Sequence, residues 1–171
     1  MRLVGRILGW GAGILGLSAF AIYAFGPIDA IPGMVLGGTP TDAPTSWADV
    51  NDQDDIFIST QGFPPWVVRT WYAGVDDGLY VFAWRESNWR SRIGAEPEAT
   101  VRIGDAAYAV RAVAIDEEST NAAVGVAYRK KYSHYNDAEK YGQDMADAAV
   151  AVLDDEIRQP IFQLLRLDAI E

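Results

Sequence analysis

From residue 7 to residue 25 the chain runs for 19 residues without a charged side chain, ILGWGAGILGLSAFAIYAF. At 1.5 Å per residue a helix of that length spans about 28 Å, close to the hydrocarbon thickness of a bilayer. A helix packed in a soluble core keeps a polar stripe, and this stretch has none. Trp10 and Tyr23 stand near its two ends, where amphipathic rings settle at lipid headgroups. The expectation is one N-terminal transmembrane helix in residues 1–26, meeting membrane lipid through residues 7–25. A cleaved secretory signal is the alternative, with Arg2 and Arg6 as its basic start and small residues at 21 and 24. Both arginines precede the helix and the next basic residue is Arg69. The positive-inside bias then predicts a single-pass protein with its domain on the extracytoplasmic (periplasmic) side.

Gly5, Gly9 and Gly13 repeat every four residues, a spacing that lets a second membrane helix approach closely. This points to a homodimer or a membrane-protein partner, against the plain abundance of glycine in membrane helices. Residues 27–46 are rich in Gly, Pro, Thr and Ala, and Pro27, Pro32, Pro40 and Pro44 interrupt regular structure there. They read as a linker to a domain over residues 47–171.

Of the 14 basic and 24 acidic side chains, only Arg2, Arg6 and Asp29 fall in the first 40 residues. The remainder therefore carries a net charge of −11. Such a domain repels phosphate backbones, which argues against nucleic acid as a partner. Cysteine is absent and His134 is the sole histidine. Thiol nucleophiles, thiolate metal sites and His-rich metal sites are thereby excluded. His134 itself reads as a solvated loop residue.

Within the domain, residues 56–60 alternate apolar and small side chains, and residues 65–72 are dense in aromatic and β-branched ones. Asp76, Asp77 and Gly78 form a hairpin signal, with residues 79–84 as the returning strand. Ser87 is a candidate N-cap for a short helix holding Trp89 and Ile93 and closed by Gly94. Residues 100–103 and 106–115 make a second hairpin around Gly104 and Asp105. Helices are predicted over 119–131 and 139–153, and residues 161–167 close the chain as a strand. The basic run Arg129, Lys130, Lys131 falls at a helix C-terminus, where it suits the dipole and solvent. The fold class expected is mainly β with α (α+β): a six-stranded split β-barrel with peripheral helices, preceded by the transmembrane helix.

Three stretches carry a resemblance: PWVVRTWYAGVDDGLYVFAWRESNWR (65–90), AYRKKYSHY (127–135) and IFQLLRL (161–167). Together they resemble the domain-of-unknown-function family 2255, grouped with the split β-barrels typified by pyridoxamine-phosphate oxidase. The resemblance covers about residues 47–170. It implies binding of FMN or a deazaflavin, often in a dimer, with the phosphate near the turn after the third strand. Here that turn comprises Trp84, Arg85, Glu86, Ser87, Asn88, Trp89 and Arg90. A helix N-terminus, the Ser87 hydroxyl and guanidinium from Arg85 or Arg90 could hold an anion. Arg69 on a neighbouring strand could reach the same place, and Trp71 or Trp84 could cover a flavin ring. The cofactor-binding candidates are thus Arg69, Trp84, Arg85, Ser87, Trp89 and Arg90. The family usually has Gly where this chain has Glu86, a carboxylate that would repel phosphate. No metal ligands and no catalytic residue are singled out.

The resemblance implies an FMN- or deazaflavin-dependent oxidoreductase, which the N-terminal helix would anchor to a membrane. A non-enzymatic accessory subunit on a degenerate cofactor barrel is the alternative. A third reading is an apolar-ligand or haem-type binder lined by Trp66, Trp71, Trp84 and Trp89, against tryptophans that merely fill the core.

Overall fold

The computed structural model describes residues 32–170. Ser46 caps a 3-10 turn at Trp47–Val50, accepting the Ala48 N–H and donating to the Asp76 carbonyl at 2.9 Å. This buries Trp47 edge-on against Tyr108, with ring centroids 5.2 Å apart. Strand β1 (Thr39–Pro40) precedes the turn; β2 (Asp55–Thr60) and β3 (Trp66–Trp71) follow as a hairpin. In β2 the alternation places Ile56, Ile58 and Thr60 inward, as the two-residue period of a strand requires. β4 (Ala73–Val75) and β5 (Gly78–Trp84) make a tight hairpin through Asp76, whose φ is 52°.

Helix α1 (Asn88–Ala95) leads to the long hairpin of β6 (Glu98–Ile103) and β7 (Ala106–Ile115). A helical segment follows: α2 (Glu118–Tyr132), a 3-10 turn at Ser133–Asn136, α3 (Ala138–Tyr141), α4 (Gln143–Leu153) and α5 (Asp155–Ile161). β8 (Phe162–Ala169) returns to the sheet.

The strand order is β3-β2-β6-β7-β8-β5-β4, and β1 adds in parallel to the start of β7. The two ends of this path, β3 and β4, are separated in sequence by Tyr72 alone. Covalent continuity therefore curls the sheet on itself. Ile56, Ile58, Leu79, Val81, Val101, Val110 and Leu167 fill the interior so formed. A second core lies outside the sheet, where α2 and α4 cover Tyr80, Phe82 and Leu164 with Val124, Tyr128, Tyr132 and Ala149. β5 is buried on both faces from Gly78 to Ala83 because it belongs to both cores.

Parts of the expected architecture are corrected. Among the described residues the sheet has eight strands, not six; β1 and β4 span two and three residues, too few for alternation to show in a sequence. The helix expected over 139–153 is two helices, divided at Gly142 with φ 89°. α5 was not expected, since Pro160 lies inside it and reads as a helix breaker. The preceding transmembrane helix is not part of the described fold. Among the described residues no helix is long and apolar enough to cross a membrane. Residues 7–25, with Gly5, Gly9 and Gly13, lie outside the described residues, as do the lipid contact and helix pairing expected of them.

Candidate functional site

The turn after β5 is fixed at both sides. The Arg85 N–H donates to the Ile161 carbonyl at 3.0 Å, tying the turn to the end of α5. The Ser87 hydroxyl donates to the Trp84 carbonyl at 2.7 Å and accepts the Arg90 N–H at 3.4 Å, so it caps α1. Arg90 directs its Nε to Gln163 Oε1 at 2.6 Å, with a second guanidinium nitrogen on the same oxygen. Trp89 is buried in the barrel interior. Glu86 is exposed. Arg69 stands opposite Phe57 on β2 and faces Asp55 at 3.8 Å. Burial pushes the Asp55 carboxyl up, with Arg69 as the largest opposing influence.

Trp84 and Arg85 belong to a different neighbourhood from Ser87 and Arg90. Trp84 pairs with Phe162, and Phe82 with Leu164, so these four side chains share one face of the sheet. It is the outer face, where the helical layer ends. There Phe82, Arg85, Ile115, Asp116, Asn121 and Phe162 line a cleft of about 380 Å³, together with Glu118, Arg158, Gln159 and Leu164. Trp84, 52% exposed, extends the same wall past the cleft.

The floor holds Arg158, whose side chain is 1% exposed. Its guanidinium lies 4.4 Å from the Phe82 ring centroid, donates to the Val152 carbonyl at 3.0 Å, and pairs with Asp155. Its Nε is buried and makes no hydrogen bond, an arrangement that costs free energy unless something answers it. α2 makes room for this group with Gly125, where a Cβ would lie 2.7 Å from an Arg158 nitrogen. Burial raises the Asp155 carboxyl, but hydrogen bonds from Arg129 and Arg158 outweigh it and leave it lowered.

Arg85 and Arg158 are balanced in charge by Asp116 and Glu118. The cleft therefore offers apolar walls, amide groups from Asn121 and Gln159, and no excess charge. That composition fits a flat heteroaromatic ring with polar edges better than a bare phosphate.

Sequence reading missed two residues here. Arg158 sits in the segment DDEIRQP, whose charge and proline suggest a solvated loop; the paired N-cap Asp154, accepting from Glu156 and Ile157, was the available signal. Lys131 belongs to the run expected to be solvated, yet it is half-buried. Its Nζ donates to Asn51 Oδ1 at 3.0 Å and the Tyr72 carbonyl at 3.2 Å. Burial lowers it to about 8 against the pull of Asp54, Asp52 and Asp55. His134 is exposed, as expected, beside Tyr135. Trp66 and Trp71 are partly buried on β3, packed against different cores. They do not join Trp84 around one pocket.

A curled, mainly antiparallel sheet with a helical layer on its outer face gives the chain a split-barrel architecture. The chain belongs to the family described as uncharacterized protein conserved in bacteria (DUF2255), whose model matches residues 46–158. Among solved structures, a conserved hypothetical protein of Mycobacterium tuberculosis, Rv2991, is similar in fold at 16% identity. The match covers 77% of this chain and 86% of that one, with a TM-score of 0.52. A putative pyridoxamine 5'-phosphate oxidase from Listeria innocua matches at 15% identity over 71% of this chain and 88% of its own, TM-score 0.47. An FAD-binding protein from Mesorhizobium loti matches at 16% identity over 71% and 85%, TM-score 0.46. Among curated proteins none matches the chain significantly.

Proposed function

We propose that this protein is a flavin- or deazaflavin-type oxidoreductase, with the cofactor's ring end received by the cleft beside Trp84 and Arg85. The observation that carries the reading is the buried Arg158 guanidinium, with an unanswered Nε, beneath a cleft of about 380 Å³ that sets apolar side chains beside polar and charged ones. Such a ring would itself supply hydride or electron transfer, while the protein supplies binding and electrostatics. Phe82, Ile115, Phe162 and Leu164 would exclude water from the ring faces. Asn121 and Gln159 would bond its polar edges. Of the residues expected at a phosphate, Ser87 and Arg90 are engaged by Trp84 and Gln163, which leaves Arg85 as the cation at the mouth.

The test is titration of the purified protein with FMN, FAD and a deazaflavin coenzyme, read by visible absorption, fluorescence quenching and thermal shift. One of the three should bind in saturable fashion. Phe162→Ala and Trp84→Ala should each weaken it by about tenfold, the equivalent of roughly 1.4 kcal/mol. A colourless protein, neither quenching nor stabilised by any of them, ends this reading. The exposed Trp84, Ile157 and Ile161 favour a second one, an accessory protein whose partner covers the cleft mouth. Co-purification of a defined partner that Trp84→Ala abolishes, without flavin binding, would establish it.

A further inference from the structure

Six aromatic rings make a continuous path from the cleft wall to the protein surface. Phe82 meets Tyr128 edge-on at 4.7 Å between centroids, and Tyr128 lies 5.4 Å from Tyr132. Tyr132 stacks on Trp71 at 4.5 Å with the planes 6° apart. Trp71 stacks in turn on Tyr135 at 5.3 Å, and Tyr135 meets Tyr141 at 4.8 Å. Tyr128 and Tyr132 are fully buried, whereas Trp71, Tyr135 and Tyr141 are partly exposed.

Packing explains why rings touch, but not how charges and proton acceptors are distributed around them. The Tyr128 hydroxyl donates to the Trp71 carbonyl at 2.9 Å. The Tyr132 hydroxyl lies 2.7 Å from the carbonyls of both Asp54 and Tyr72 and donates its one proton between them. A backbone carbonyl is too weak a base to take a phenolic proton. The Tyr135 hydroxyl instead donates to Asp54 Oδ2 at 2.9 Å, and a carboxylate can accept that proton. Cations flank the neighbouring rings: Lys131 Nζ lies 3.5 Å from the Tyr72 centroid and 5.1 Å from that of Tyr132. Lys140 Nζ lies 4.8 Å from the Tyr141 centroid. A positive charge opposes removal of an electron from the ring it faces, and the negative charge of Asp54 favours it at Tyr135.

We infer that this ladder drains oxidising equivalents from the cleft side of the core to Tyr135, where they rest as a neutral tyrosyl radical with the phenolic proton on Asp54. An oxygen-derived radical or a photoexcited aromatic ring at the cleft takes one electron from the ladder and is reduced by one. The electron deficit moves through Trp71 to Tyr135, whose O–H bond breaks as its proton passes to Asp54 Oδ2. A soluble reductant of the ascorbate or thiol class then returns the electron at the partly exposed end, and Asp54 returns the proton. The origin of the oxidant rests on the reading of the cleft as a redox site; the ladder and its end point do not.

Flash photolysis of the full chain with a ruthenium tris-bipyridine sensitiser and a sacrificial quencher tests this without any flavin. Transient absorption and electron paramagnetic resonance should show a tryptophan radical decaying as a neutral tyrosyl radical grows. Tyr135→Phe should lose most of the tyrosyl signal, and Tyr141→Phe should keep it. Asp54→Asn, a change at an exposed side chain that leaves the tyrosine in place, should slow its growth about hundredfold through loss of the proton acceptor. Tyrosyl radical forming at wild-type yield in Tyr135→Phe, or at wild-type rate in Asp54→Asn, overturns the inference. Because the sensitiser is external, absence of flavin binding would leave this result untouched, and the reverse also holds.

Discussion

Two residues divide the labour at the cleft, and each resists a different substitution. Gly125 on α2 admits the Arg158 guanidinium; a Cβ there would stand 2.7 Å from its nitrogen and 2.9 Å from Asp155 Oδ1. Alanine would gain helix propensity of up to about 1 kcal/mol, yet overpacking a buried ion pair costs roughly 1–3 kcal/mol. Gly125→Ala should therefore lower stability, measured as a reduced urea midpoint, rather than raise it. Arg158→Met is the complementary case. It removes a buried charge together with its desolvation, while Asp155 keeps Arg129 at 3.0 Å. Because Asp155 is not left unpaired, the stability loss should stay below the roughly 3–5 kcal/mol of breaking a buried pair outright. The same variant should bind the cleft ligand at least about tenfold more weakly, since a charged hydrogen bond is worth roughly 1.5–3 kcal/mol. A large loss of stability with intact binding would remove Arg158 from the site. Ser87 was readable as a cap because serine before a helix has a local signature. Arg158 was not, because its burial depends on Gly125, more than thirty positions earlier in the sequence.

Elements were legible in proportion to how far each satisfies its own hydrogen bonds and periodicity. β7 spans residues 106–115 as expected, because ten residues follow a Gly–Asp turn without interruption. β4 and β1 are held by what lies beside them, β5 and β7, and carry no pattern of their own. The helix pair around Gly142 shows the same limit. Both flanks have helical composition, but the φ of 89° at Gly142 turns the chain where a sequence shows only one weak position. Gly142→Ala should force that left-handed backbone on a β-carbon and destabilise by about 1 kcal/mol. A thermal midpoint equal to wild type would show that α3 and α4 can fuse. Ser87→Ala should cost about 0.5–2 kcal/mol through the α1 cap. If Arg85 and Trp84 alone shape the cleft mouth, that change leaves ligand affinity unaltered. An equal loss of affinity would return Ser87 to the site.

Across the whole molecule, proton balance sets how stability follows pH. Lys131 is lowered in the fold to about 8 from 10.5, so between those values the unfolded chain binds more protons than the native one. Stability then rises with pH across that window, and the penalty of burying the ammonium is fully present below about 8. Tyr72 and Tyr135 act oppositely. Burial raises both above the ordinary value of 10.0, which favours the fold up to that pH and withdraws the benefit as pH climbs through the native values. Denaturant titrations should therefore show stability climbing between about pH 8 and 10 and falling beyond. Lys131→Met should abolish the climb and keep the fall. A climb that persists in Lys131→Met would assign it to another group.

The junction at Tyr72 and the parallel addition of β1 have a consequence for how these molecules behave in a crowd. The exposed flank of β7 is shared between β1 at residues 106–107 and β8 from residue 110 onward. The outer side of β3 is bridged by Gly33 at Val67, and β4 offers three residues. Among the described residues these additions shorten the runs of edge amide open to a neighbouring chain. For its β-branched strands that lowers the tendency to pair edge to edge with other copies.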